Sequence, residues 1–159
     1  MAVTPLEFAR TTLTTDPALR YDAKAPVAVV RGRVEHGDAR GRLLGFPTAN
    51  ISVPETHMAD GVWAAMVRTR AKGPELTAAV SIGRRTTFYG NQGERLLEAH
   101  VLDVDLSLYG QLLEVHLYRR LRPQRRFDDV DALIAQMHQD VVATREWARS
   151  RLAVGRSDP

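Results

Sequence analysis

The chain contains no cysteine, which excludes disulfide bonds, thiolate metal sites and a cysteine nucleophile. It also lacks any apolar run approaching the roughly 20 residues that cross a bilayer. Its first residues lack the apolar core of a secretory signal. With 44% hydrophobic and 26% charged residues among 159, the composition is typical of one globular domain. The sequence therefore predicts a cytoplasmic protein that does not associate with membranes.

Lysine is scarce as well: Lys24 and Lys72 are the only two, and arginine supplies almost all of the positive charge. The formal net charge is +3. Arginine forks onto phosphate oxygens, so the excess is compatible with a phosphorylated ligand or a nucleic acid, although arginines that merely keep the surface solvated explain it more simply. A nucleic-acid-binding barrel would carry stacking aromatics among its basic residues, and aromatics are only 6% of the chain. We therefore predict no nucleic-acid partner.

Five segments after Pro26 show the short β-branched or alternating patterns of β-strands, separated by turn residues. Tyr109-Gly110, between the last two, is predicted to form a hairpin connection. No helical pattern lies between the strands, which favours an antiparallel barrel or sandwich. The segments are PVAVVRGRVEHG from Pro26, GVWAAMVRTR from Gly61, LTAAVSIG from Leu76, LLEAHVLDVDL from Leu96 and LLEVHLYRRL from Leu112.

The end of the chain changes to a helical period. Acidic residues open this segment (Asp128, Asp129 and Asp131) and arginines close it (Arg145 to Arg151), the orientation that the helix macrodipole favours. We predict a long amphipathic helix that packs on the barrel. Its apolar stripe would consist of Phe127, Val130, Leu133, Ile134, Met137, Val141, Ala148 and Leu152.

The chain is thus predicted to have three parts. Residues 1–25 would be a lead-in segment, because their periodicity is weak. This segment would contain one short helix near residues 5–12. Residues 26–152 would form the barrel and its helix. Residues 153–159 would form a flexible tail.

Familiar nucleotide-binding motifs are missing, and the five histidines show no spacing typical of zinc ligands. The segment HGDARGRLLGFPTAN, which ends at Asn50, is the first candidate site. Its glycines permit close backbone approach, so successive N–H groups can point at an anion. Thr48 and Asn50 would lie on one side of an extended segment, and hard oxygens beside a phosphate suit Mg²⁺. A loop whose Thr and Asn only bond its own backbone fits this spacing at least as well.

Glu98 and His100 form the second candidate site. Side chains two residues apart on a strand face the same way, roughly 6–7 Å apart. A carboxylate beside an apolar wall could act as a general base. The alternative is an outward-facing, salt-bridging pair, which is the commoner arrangement.

HGDARGRLLGFPTANI, from His36 to Ile51, resembles the signature of the riboflavin kinase (flavokinase) family, and further motifs of that family follow in the same order. The resemblance covers about residues 26–152. It implies an all-β core, a six-stranded antiparallel Greek-key β-barrel closed by a long C-terminal α-helix. The further motifs are Gly61-Val62-Trp63-Ala64, Ser81-Ile82-Gly83 with Arg85 and Thr87-Phe88, Glu98-Ala99-His100, Leu108-Tyr109-Gly110, and the C-terminal residues Leu121, Arg122, Phe127, Leu133, Gln136, Asp140 and Arg145.

The resemblance also implies an activity, which is transfer of the γ-phosphoryl group of ATP to the 5′-hydroxyl of riboflavin to give FMN, with Mg²⁺ as cofactor. By position, Thr48 and Asn50 would bind the metal, and Glu98 would accept the hydroxyl proton. The residues implied to bind the nucleotide are Gly37, Arg40, Gly41, Arg42, Gly45, Pro47, Thr48, Asn50 and Tyr109. Those implied to bind the flavin are Arg85, Thr87, Phe88, Arg122 and Phe127.

The chain departs from the family pattern at Ala39, where glycine is usual, at Ser81, where asparagine is usual, and at Thr86, where proline is usual. The last two lie on the flavin side, so two alternatives stay open: a kinase-like domain for a modified flavin or another small alcohol, and a non-catalytic flavin- or nucleotide-binding module. In bacteria this module usually follows a flavin adenylyltransferase domain, for which 159 residues are too few. FAD synthesis is therefore not expected here, and a separate FAD synthetase would act downstream.

Overall fold

The computed structural model describes residues 25–37, 40–53, 58–69, 73–84 and 93–154, and of residues 40 and 154 only the backbone. The predicted lead-in segment and its short helix lie almost entirely outside the described residues. Throughout these ranges, neither helix combines the length and apolar character needed to cross a membrane. The elements are β1 (Ala28–Arg33), α1 (Arg40–Leu43), β2 (Ala49–Ser52), β3 (Gly61–Arg68), β4 (Leu76–Arg84), β5 (Arg95–Val101), β6 (Leu112–Arg122) and α2 (Val130–Val154).

The six strands form one antiparallel sheet in the order β1-β6-β3-β4-β5-β2. Strands β3, β4 and β5 pair consecutively, and β6 returns to lie beside β3, which is the Greek-key arrangement. The two edges of the sheet meet where Glu35, just after β1, bridges to Asn50 of β2. The sheet is therefore a nearly closed barrel, and the prediction of a Greek-key barrel with a C-terminal helix is confirmed.

Two local predictions about the strands are wrong. Tyr109-Gly110 does form a tight turn, with Gly110 at a φ of 71°, but it does not form a hairpin because β5 and β6 are not neighbours in the sheet. The strand predicted from Leu96 to Leu106 ends at Val101, and Asp103 beyond it has a φ of 61°, which breaks the extended backbone. Strand β2 is not among the strands predicted from the sequence. It has only four residues, which are too few to show an alternating pattern, and the nearby Gly45 and Pro47 are typical of a loop.

The interior of the barrel is filled by the inward-facing side chains of all six strands. Because side chains alternate along a strand, the other face of β3, β4 and β6 points outward, toward helix α2. The largest fully buried side chains are Ile51, Ile82, Leu97, Leu113, Leu117, Val67, Val80, Val115 and Thr144.

Helix α2 begins with a capped turn, because the Asp129 carboxylate accepts the N–H of Ala132 at 2.7 Å. It packs on the outer face of β3, β4 and β6, where Trp147 lies against Tyr118 with ring centroids 5.2 Å apart. The helix extends to Val154, past the residue where the flexible tail is predicted to begin, and the chain from residue 155 lies outside the described residues.

The predicted apolar stripe of α2 is correct in its middle and wrong at its ends. Val141 is buried, whereas Val130 is 56% exposed and Leu152 is 70% exposed. Two polar residues, Asp140 and Thr144, are buried in the stripe instead. A hydrophobicity pattern assigns such residues to the solvent side, so it misplaces the contact face.

A cluster of charged side chains lies on the outer face of the barrel at Glu114 of β6. Its carboxylate contacts His116 at 2.5 Å and Arg31 of β1 at 2.5 Å, and these contacts, the His116 hydrogen bond foremost, lower the pKa of Glu114 below its ordinary value of 4.5. Arg68 of β3 lies opposite Glu114 in register and pairs with Glu75. Glu114 therefore contributes stability that is present above its ordinary pKa and is lost as the pH falls through its lower folded-state value.

We expect Glu114→Gln to lower the free energy of unfolding at pH 7 by about 0.2–1 kcal/mol, the range of partly exposed ion pairs. The difference from the original protein should shrink as the pH falls through the lowered folded-state pKa of Glu114, because the carboxylate is then protonated in both states. Urea unfolding across this pH range measures it. Glu146→Gln, at an exposed position of α2, is the matched control, and a Glu114→Gln deficit that does not change with pH would contradict the assignment.

Candidate functional site

Two cavities meet at Thr48 and Asn50, which line both of them. The main cavity, of about 770 Å³, lies between the outer face of β4 and β5, helix α2 and the segment after β6. The small cavity, of about 70 Å³, lies on the other side, beside residues 104–109. Glu98 and His100 both line the main cavity, so the second candidate site is continuous with the first.

Asn50 and Glu98 face each other across the β2–β5 pair. Both side chains point out of the barrel, because Ala49 and Ile51 on either side of Asn50 belong to the interior core. With its amide nitrogen toward Glu98, Asn50 donates to the carboxylate at 3.1 Å, and its amide oxygen accepts the Gly37 N–H at 3.2 Å. Asn50 is only 6% exposed, so it holds Glu98 and the start of the glycine-rich segment in a fixed relation.

The glycines of this segment allow close packing. A methyl group on Gly37 would lie 2.0 Å from the nearest amide atom of Asn50, and one on Gly41 would lie 2.4 Å from the Phe46 carbonyl oxygen. Gly45 has a φ of +85°, which glycine adopts without strain.

Some of the N–H groups of this loop are bonded within the protein and do not face an anion. Gly45 donates to the Arg42 carbonyl oxygen at 3.2 Å, and Phe46 donates to that of Gly41 at 2.7 Å. Gly37 donates to Asn50. The first two of these donors are used within the loop itself, because the chain folds into the helical turn α1 (Arg40–Leu43) and a turn that follows it, which the sequence pattern did not indicate.

The residues implied to bind a nucleotide separate into groups. Arg42, Pro47 and Tyr109 lie with Thr48 and Asn50 around the small cavity, where the Tyr109 ring stacks on His36 with centroids 4.2 Å apart. Gly41 lines the main cavity. Gly37 and Gly45 contribute through packing and the turn, and the side chain of Arg40 lies outside the described part of the chain.

Of the residues implied to bind a flavin, Arg122 and Phe127 line the main cavity. Arg122 is held by a bidentate ion pair with Asp140, with Nε–Oδ1 at 2.9 Å and Nη2–Oδ2 at 2.8 Å, and its guanidinium carbon lies 5.7 Å from the Phe127 ring centroid. This pair fixes the end of β6 to the middle of α2. Arg85, Thr87 and Phe88 lie outside the described residues.

Two residues at the main cavity are not among the predicted site residues. Gln124, in the segment after β6, donates to Ser81 Oγ at 2.8 Å and to the Ile82 carbonyl oxygen at 3.0 Å, so it ties that segment to β4. Phe46 packs with Val141 of α2 and with Leu102. Neither has a sequence signal of its own, since a loop glutamine and a lone aromatic beside a proline follow no period.

Comparison with known proteins agrees with this architecture. The family model described as flavokinase, riboflavin kinase, matches residues 25–148. A bifunctional riboflavin kinase/FMN adenylyltransferase of Listeria monocytogenes is 38% identical over 117 residues, which are 74% of this chain and 37% of that protein. The chain therefore spans little more than a third of the length of this curated relative.

Solved structures give the same picture of the fold. A Streptococcus pneumoniae protein described as a macrolide-efflux protein has a TM-score of 0.65 and 37% identity, over 77% of this chain and 40% of that one. Riboflavin kinase from Trypanosoma brucei has a TM-score of 0.55 and covers 76% of this chain and 79% of its own, but at 24% identity it supports the fold alone. Because the family model matches most of the sequence, the chain belongs to the riboflavin kinase (flavokinase) family.

Proposed function

We propose that this protein is an ATP:riboflavin 5′-phosphotransferase that produces FMN. The observation that carries the proposal is the meeting of two cavities at Thr48 and Asn50, with Glu98 hydrogen-bonded to Asn50 beside the junction. A phosphoryl transfer needs a donor and an acceptor on opposite sides of the migrating group, close to a carboxylate that can take the acceptor's proton.

The main cavity suits the acceptor. Its volume of about 770 Å³ is in the range of small-molecule sites, roughly 300–1,000 Å³. Leu96 and Phe127 give it apolar walls for a flat ring system, and Glu98 and Thr48 lie at the end next to the small cavity. A flavin with its ring toward Phe127 would bring its ribityl chain toward Glu98.

The small cavity and the loop beside it suit the nucleotide. Arg42 adds a charge that can contact phosphate, and Tyr109 offers a ring face beside residues 104–108. The cavity is smaller than a nucleotide, and the adenosine would extend over the exposed surface between Arg42 and Tyr109. Both groups are exposed, as contacts to a soluble substrate require.

The oxygen donors at the junction fit Mg²⁺. The Thr48 hydroxyl and the Asn50 amide oxygen are hard neutral ligands, and Mg²⁺ in nucleotide sites takes few protein oxygens together with phosphate and water oxygens. Thr48 and Asn50 would hold the ion. When bound, it would neutralise charge on the β- and γ-phosphates of ATP.

In the proposed reaction the riboflavin 5′-oxygen bonds to the γ-phosphorus as the bond from that phosphorus to the β,γ-bridging oxygen breaks, and ADP leaves. The hydroxyl proton passes to the Glu98 carboxylate. Asn50 keeps that carboxylate aimed at the acceptor through the 3.1 Å hydrogen bond. With riboflavin bound, helix α2 and Phe127 would cover the acceptor side and limit access of water, which would disfavour hydrolysis of ATP.

The matched family model names the kinase alone. We therefore assign only FMN formation to these residues, in the cytoplasm, where ATP is available. Adenylylation of FMN, the second activity in the name of the Listeria relative, is assigned to a separate FAD synthetase that would consume the product.

The direct test is to incubate the purified protein with riboflavin, ATP and Mg²⁺ and to separate flavins by chromatography. We expect FMN and ADP in equal amounts, and loss of the product when EDTA is added. ADP released without FMN would mean that the protein hydrolyses ATP. Riboflavin that binds but is never phosphorylated would favour a non-catalytic flavin-binding module.

A further inference from the structure

His100 of β5 makes a contact that the proposed reaction does not by itself require. Its Nδ1 lies 2.9 Å from the carbonyl oxygen of Pro47. A backbone carbonyl oxygen can only accept a hydrogen bond, so Nδ1 must carry the hydrogen and donate it. Pro47 directly precedes Thr48 in the chain and has no N–H of its own. Its carbonyl group, which belongs to the Pro47–Thr48 peptide, is therefore the polar backbone group of Pro47 that a side chain can hold.

The ring of His100 also supports the residue before Pro47. Phe46 is 5% exposed, and its ring meets the His100 ring edge-on with centroids 5.4 Å apart. On its other side it meets His138 of α2 at 4.9 Å. The Phe46 N–H is donated to the Gly41 carbonyl oxygen, so the His100 ring and the backbone both fix the approach to Thr48.

We propose that His100 is a positioning residue that holds the Pro47–Thr48 peptide so that the Thr48 hydroxyl faces the junction of the two cavities. The inference rests on the proposed function, since it concerns the same site. His100 acts through Thr48, because its Nδ1 is committed to the Pro47 carbonyl oxygen.

The expected effect is large because the Thr48 hydroxyl has little freedom to compensate. A methyl group on Gly41 would already lie 3.3 Å from Thr48 Oγ1, so the hydroxyl is packed against α1. Displacement of a positioned group by about 1 Å can cost on the order of a hundredfold in rate. Loss of the His100 hydrogen bond should therefore weaken use of Mg²⁺-ATP more than binding of the flavin.

The test compares three variants of the full chain. His100→Leu removes the hydrogen bond and keeps an apolar side chain against Phe46. His100→Asn keeps a nitrogen donor at the same distance from the backbone as Nδ1. His138→Leu is the matched control, because among the described residues the contact found for His138 is the same Phe46 ring, with no hydrogen bond to the loop.

For His100→Leu we expect kcat/KM for Mg²⁺-ATP to fall by about 10- to 100-fold, with a higher Mg²⁺ requirement. Riboflavin affinity, measured by fluorescence titration, should change by less than about threefold. His100→Asn should recover most of the loss, and His138→Leu should behave as the original protein. In the protein without ligands at alkaline pH, ¹⁵N spectra of the imidazole should show the tautomer with hydrogen on Nδ1.

The outcomes separate this inference from the proposed function. If the original protein makes no FMN, the proposed function fails, and the tautomer measurement still tests the hydrogen bond. If the original protein makes FMN and His100→Leu does so equally well, or if hydrogen lies on Nε2 alone, the positioning role is wrong. A loss confined to riboflavin affinity would also overturn it, because His100 would then be only a wall of the main cavity.

Discussion

Glu98→Gln is expected to lower kcat for FMN formation by about 10²–10⁴-fold, the usual contribution of a well-placed general base. The amide cannot accept the hydroxyl proton, yet it has nearly the same shape and can still bond Asn50. Riboflavin should therefore bind with nearly unchanged affinity. Quantifying FMN under saturating Mg²⁺-ATP, together with a riboflavin fluorescence titration, measures both quantities on one preparation.

Glu146→Gln on the exposed side of α2 is the matched control for removal of one carboxylate, and it should retain full activity. A kcat for Glu98→Gln within about threefold of the original would show that Glu98 is not the base. A parallel loss of riboflavin affinity would instead place the carboxylate in substrate binding.

Asn50→Ala is expected to lower kcat by about 10²-fold and to raise the Mg²⁺ concentration needed for half-maximal activity. The substitution removes the 3.1 Å hydrogen bond from Asn50 that orients the Glu98 carboxylate, and it removes the oxygen that accepts the Gly37 N–H. It also removes a proposed metal ligand. Steady-state kinetics at a series of Mg²⁺ concentrations separates the two losses, because excess Mg²⁺ can restore metal binding and cannot realign Glu98.

Asn50→Asp distinguishes the roles further. It keeps oxygen ligands for a metal and loses the N–H that bonds Glu98, so we expect it to remain impaired at saturating Mg²⁺. Activity close to that of the original protein would mean that the hydrogen bond to Glu98 is dispensable. An Asn50→Ala variant with an unchanged Mg²⁺ requirement would remove Asn50 from the metal site.

The sequence predicts which site residues share one face of a strand, but it does not predict which of these residues lie next to each other in the folded protein. Alternation alone places Thr48 with Asn50, and Glu98 with His100, on common faces. The pairing of Asn50 with Glu98 depends on the register of β2 against β5, and β2 is too short for its pattern to show even that it is a strand. The motif resemblance supplied this relation, because it carries the family's three-dimensional arrangement.

Other features escape sequence reasoning because their partners are distant in the chain. Asp140 is buried in the helix stripe only because Arg122 of β6 neutralises it, and periodicity within α2 cannot reveal that partner. Tyr109-Gly110 shows the correct local turn, but a turn signal does not identify the strand that the next segment joins. His100 was visible as the neighbour of Glu98, whereas its contact with Pro47 required the folded loop.

The contact that closes the barrel also involves a residue of the candidate site. Glu35 donates its N–H to the Asn50 carbonyl oxygen at 2.8 Å, so the seam between the first and last strands of the sheet runs through the residue that also orients Glu98. Edge contacts of this kind open at lower free energy than a packed interior. Because Asn50 also bonds Glu98, a local fluctuation that parts the seam would disturb the proposed reaction centre without requiring global unfolding.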